Sequence, residues 1–115
     1  MLENQKQRKY TAQDYYYLAT VAEECERFDD MVFYMKKVCM EKEALSTEDR
    51  DILSVSYKNS VGLRRSAWRS ICKIESNEEA RSSKNLSLLR EYKKKIEDEL
   101  TKNCNDILEI LDKKL

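Results

Sequence analysis

The chain has 115 residues, the length of one domain, and its 22 basic and 22 acidic side chains leave no formal net charge. That balance argues against a generalised nucleic-acid or membrane surface, and no apolar run approaches the roughly 18 residues needed to cross a bilayer. With no proline and a single glycine, the chain lacks the turn chemistry of a sheet protein, so an all-α fold is expected.

The first residues, up to about Tyr10, are polar and charged without periodicity and read as a disordered arm. From Thr11 a helical stripe appears at Leu18, Val21, Ala22 and Cys25, after the aromatic run Tyr15-Tyr16-Tyr17. Asp29 is the expected N-cap of a second helix, whose apolar positions are Met31, Val32, Met35, Val38 and Cys39. A third helix starts at Ser46 or Thr47, followed by Glu48 and Asp49, acids suited to the positive end of the helix dipole. It is expected to run to about Asn77, ahead of a polar link from Glu78 to Ser83. The fourth helix carries a stripe of Leu86, Leu89, Ile96, Leu100, Cys104, Ile107, Leu108, Leu111 and Leu115 at spacings of three or four.

The centre of the third helix, SVSYKNSVGLRRSAWR from Ser54 to Arg69, combines two faces. At about 100° per residue, Lys58, Arg65 and Arg69 project within roughly 40° of one another. Ile52, Leu53, Tyr57, Val61, Trp68 and Ile71 take the opposite side and are expected in the core. Gly62 falls beside the basic stripe, although glycine inside a helix costs about 1 kcal/mol relative to alanine. Spacing alone leaves two readings of the stripe, a solvated face or an anion site whose guanidinium forks suit phosphate.

The chemistry of catalysis is hard to find. The chain has no histidine, the commonest general base and metal ligand. Cys25, Cys39, Cys72 and Cys104 form no C-x-x-C pair and read as buried free thiols of a reducing compartment. Acid clusters such as Glu23-Glu24-Glu26 read as solvated helix faces. No enzyme activity, cofactor or metal is expected, and the chain reads as an intracellular, cytoplasmic protein. An RNA-binding module is a distant reading, because the basic excess and the aromatic platform it needs are missing.

Length raises a further question. Third and fourth helices of about 30 residues each are near 45–48 Å long at 1.5 Å per residue, roughly twice the first two. The short pair cannot cover the long pair, so the uncovered length is expected to pack on another subunit or on further chain beyond Leu115.

SVSYKNSVGLRRSAWR closely resembles the third helix of the 14-3-3 proteins, dimeric adaptors that bind phosphoserine and phosphothreonine peptides. The resemblance continues through LATVAEECERFDDMVFYMKKV (Leu18 to Val38), REYKKKIEDEL (Arg90 to Leu100) and CNDILEILDKKL (Cys104 to Leu115), with an extra residue between Ile74 and Arg90. It implies antiparallel helices, two short followed by two long, with residues 11–115 as the N-terminal, incomplete part of a 14-3-3-like domain. It also implies that Lys58 and Arg65, with Arg69 alongside, hold a phosphate, and that Ser54 and Val55 line the groove beside the peptide. The rest of the family's pocket, an arginine and a tyrosine on the next helix, lies beyond Leu115, so weak or undetectable phosphopeptide binding is expected of this stretch alone. For a homodimer, or a heterodimer with a paralogue, the implied contacts are Val21 and Cys25 against Tyr92, with intersubunit pairs Arg27 to Glu99 and Asp30 to Lys95. Where many members carry a serine whose phosphorylation opposes dimerisation, this chain has Ala67. The alternative reading is a structural dimerisation or oligomerisation module whose groove is incomplete and binds nothing.

Overall fold

Four helices follow one another without a strand between them in the computed structural model, which describes residues 9–114. They are α1 (Ala12–Glu24), α2 (Phe28–Glu41), α3 (Thr47–Ala80) and α4 (Leu86–Lys114). The fold is all-α, with two short helices and then two long ones. Most of the expected arm, residues 1–8, lies outside the described residues. Tyr10 is described, and its ring packs edge-on against Tyr15 at 5.6 Å.

Local chemistry sets the helix starts. Thr11 and Asp14 form a reciprocal capping box at the head of α1, and Ser46 and Asp49 form another at the head of α3, with bonds of 3.0 and 3.1 Å. Asp49 is buried and also receives Lys42 at 2.6 Å. Burial pushes its carboxyl up, but the Lys42 ammonium and the Ser46 donors hold it below the usual range. The second helix departs from expectation. Arg27 occupies the N-cap position without a side-chain capping bond, while Asp29 is the second residue of the helix and is committed to α3. The chain enters that start through Glu26 in the left-handed region, with φ 56°.

The third helix reaches Ala80 rather than Asn77. Its last turns are held from outside, since Glu75 and Glu79 both take the guanidinium of Arg90 on α4. Ser82, with φ 52°, then helps turn the chain back. Glu75 meets Arg90, Arg64 meets Glu99 and Ser60 meets Asn103, so α4 runs antiparallel to α3. Asp29 with Ser60 and Lys42 with Asp49 give the same sense for α2 against α3.

The core sits where all the helices converge. Ala19 and Ala22 of α1, Met31, Met35 and Val38 of α2, and Leu53 and Tyr57 of α3 close on one another. The three large residues of α2 are fully buried, each contributing about 1.5–3 kcal/mol. Beyond this cluster α3 and α4 continue as a bare pair, with Ile71 and Ile96 buried between them. Leu63, Ile74, Leu88 and Tyr92 remain exposed there, as the length argument requires.

Two expectations are corrected. Trp68 is 38% exposed at the rim instead of in the core. Its indole donates to Glu97 of α4 at 2.9 Å, and Lys93 lies over its ring, so an amphipathic side chain bridges two helices with its polar edge wet. All four cysteines are free thiols, but only Cys39 is buried; Cys72 is half-buried, while Cys25 and Cys104 are exposed. Cys25 caps the C-terminus of α1 and Cys104 lies on the outer edge of the α4 stripe, where helical spacing no longer guarantees cover. Among the described residues no helix is long and apolar enough to cross a membrane.

Candidate functional site

The register of α3 is fixed by one arginine that the stripe analysis passed over. Arg64 grips Asp29 of α2 through both terminal nitrogens, at 2.7 and 2.9 Å, and donates through Nε to Glu99 of α4 at 3.1 Å. Buried Ser60 donates to the same Asp29 at 2.7 Å and accepts from Asn103 at 3.1 Å. Three helices thus meet at one guanidinium. The hydrogen bonds from Arg64 draw the Asp29 carboxyl below its usual range, against the upward push of burial and with further help from Ser60.

Holding Arg64 inward turns its neighbour outward, since successive helical residues differ by about 100°. Arg65 is exposed, as are Lys58 and Arg69, and none of the three has an ion-pair or hydrogen-bond partner among the described residues. A surface cation without an acid beside it keeps its full attraction for a ligand.

Lys58 and Arg65 line a groove of about 550 Å³ between α3 and the end of α4. Leu53, Tyr57 and Val61 form its floor, Ile107 and Leu111 its far wall, and Ser54 and Arg50 continue it towards the start of α3. The structure therefore brings Lys58, Arg65 and Ser54 into one concavity. Arg69 stands outside it, roughly 6 Å further along the helix at 1.5 Å per residue. Val55 is half-buried and packs against the core. Asp51 is exposed and does not line the groove.

Two features of the groove went unread in the sequence. Arg50 projects within roughly 60° of Arg65 on the same wheel, a signal lost because the stripe was traced only between Lys58 and Arg69. Tyr57 is 4% exposed, and its hydroxyl has no partner among the described residues. Burial first, and then the negative charge of Asp106, push this phenol well above its usual value, so it stays a neutral donor.

The other residues implied by resemblance lie on surfaces away from the groove. Val21 and Cys25 are exposed on α1. Arg27 and Asp30 pair with each other at 2.6 Å. Tyr92 is exposed on α4 with Lys95 over its ring, and Glu99 is held by Arg64.

Residues 18–115 match the sequence model of the family described as 14-3-3 protein. The chain is 50% identical over 100 residues to the checkpoint signal transducer rad25 of Schizosaccharomyces pombe, covering 86% of this chain and 37% of that protein. It is 48% identical over 104 residues to a 14-3-3 protein homolog of Trichoderma harzianum, covering 90% and 40%. To the 14-3-3-like protein GF14 epsilon of Arabidopsis thaliana it is 43% identical over 115 residues, covering 99% and 43%. The chain spans about two fifths of the length of these curated relatives.

Proposed function

The chain belongs to the 14-3-3 family, and from that membership we propose that it is part of an adaptor that binds phosphoserine- and phosphothreonine-containing proteins and catalyses nothing. The observation that supports this best is the pair of unpartnered cations, Lys58 and Arg65, in one groove beside the Ser54 hydroxyl. A phosphoserine brings about −1.5 to −2 charges and three acceptor oxygens. A guanidinium fork and an ammonium on adjacent turns meet that shape and charge, while the apolar floor and wall suit the peptide on either side of the phosphate. A cytoplasmic location accords with this reading, since free thiols belong to a reducing compartment.

Fluorescence anisotropy of a labelled peptide containing arginine and phosphoserine, titrated with this chain beside its unphosphorylated twin, tests the proposal. Phospho-dependent, saturable binding is the expected result, weaker than that of a groove with more cations. Equal binding of both peptides, or none, would favour the alternative, a dimerisation module whose groove does not bind.

We further propose that the protein dimerises through these helices, a reading that the exposed apolar residues of α1, α3 and α4 support. Within one chain Arg27 already pairs with Asp30, which permits a clean test. The exchange variant Arg27→Asp with Asp30→Arg keeps that internal pair but sets like charges against Glu99 and Lys95 of a partner. Exposed pairs are worth up to about 1 kcal/mol each, so the dimer is expected to dissociate about tenfold more readily on dilution. A light-scattering mass that falls no earlier than in the wild type would count against these contacts.

A further inference from the structure

The groove has more cationic length than one phosphate can use. Lys58 and Arg65 are about 10 Å apart along α3, and Arg50 lies roughly 12 Å beyond Lys58 in the opposite direction. All three line the same concavity, and none has an ion-pair partner among the described residues. The floor between Arg50 and Lys58 is made of Leu53, Ser54 and Tyr57, so an extended chain can run over it with one polar contact at Ser54. Other unpartnered cations of α3, such as Lys73, do not line the groove.

We propose that Arg50 forms a second anion subsite, selecting ligands that carry an additional acidic group, a carboxylate or a second phosphate, on the same extended segment as the phosphoserine. This deepens the phosphopeptide reading and rests on it. The spacing follows from the backbone. The midpoint between Lys58 and Arg65 is about 17 Å from Arg50 along the helix, and an extended peptide advances about 3.3–3.6 Å per residue. The second acid therefore lies about five residues from the phosphoserine. Asp51 projects roughly 100° away from Arg50, on the Lys58 side of the wheel, and does not line the groove.

The test uses the protein in the full length in which it is expressed, with peptides carrying one phosphoserine. One has neutral flanks; others place glutamate about five residues to its N-terminal or C-terminal side; all have unphosphorylated twins. In the wild type, glutamate on one of the two sides is expected to tighten phosphopeptide binding about two- to fivefold at low salt, the range of a partly exposed ion pair, with the gain fading as salt rises. Arg50→Gln is expected to remove that gain and to leave the neutral-flanked phosphopeptide within twofold of wild type. A gain that persists in Arg50→Gln, or no gain on either side while phospho-dependence is intact, overturns the subsite alone. Loss of phospho-dependence in the wild type overturns the phosphopeptide reading and the subsite with it.

Discussion

Replacing Arg64 with methionine lowers the stability of the chain by about 2–3 kcal/mol and brings its urea midpoint down by about 1–2 M. The guanidinium is 19% exposed and makes charged hydrogen bonds to Asp29 and Glu99 as well as contacts to Ser60. Removing one partner of a buried ion pair costs about 3–5 kcal/mol, and the expected loss is smaller because Asp29 and Glu99 keep access to water. The same contact makes a pH prediction. The Asp29 carboxyl is held below its unfolded value of about 3.9, so its contribution is complete above that value and is lost as the pH falls from there towards the folded pKa. The midpoints of wild type and Arg64→Met are therefore expected to converge as the pH falls below about 4. Some acid sensitivity remains in the variant, since the carboxyls of Asp49 and Asp106 are also held low. A gap that stays constant with pH, or a variant as stable as wild type at pH 7, would remove Arg64 from this role.

That arginine also marks where sequence reading stops. Arg64 and Arg65 are adjacent and chemically identical, yet one joins three helices and the other faces the groove. Their difference is set by Asp29 and Glu99, each about 35 residues away along the chain, and no local pattern encodes it. The helices themselves were legible because apolar spacing and the Ser46–Asp49 capping box are local signals. The pairing of Lys58 with Arg65 was legible for the same reason, since one helix carries both, whereas Ser54 was placed beside them only by the family resemblance. Trp68, Cys25 and Cys104 were misplaced because each sits at the margin of an apolar arc, where a neighbour's reach decides burial. Arg50 was missed because the groove extends further along α3 than the densest run of cations. Its far wall, Ile107 and Leu111, comes from a helix whose register is fixed by tertiary contacts.

Reversing both groove cations, Lys58→Glu with Arg65→Glu, is expected to weaken phosphopeptide binding by the full-length protein at least about 100-fold. Each charge-assisted contact is worth roughly 1.5–3 kcal/mol, and two of them alone account for that factor before repulsion from the new carboxylates is added. Stability should stay within about 0.5 kcal/mol of wild type, because both side chains are exposed and have no partner among the described residues to strand. This separates the variant from Arg64→Met, whose binding loss would follow from unfolding. Arg69→Glu should cost less than tenfold, since Arg69 acts on the phosphate from outside the groove through solvent and its effect is screened by salt. The deciding comparison is Lys73→Glu with Arg81→Glu, which changes the net charge by the same amount at two exposed cations away from the groove. If that pair weakened binding as much as Lys58→Glu with Arg65→Glu, recognition would depend on overall charge and not on the groove. Near-wild-type affinity in the control places the recognition in the convergence of Lys58 and Arg65, which exists because Arg64, one residue earlier and about 100° round the helix, is held inward by Asp29 and Glu99.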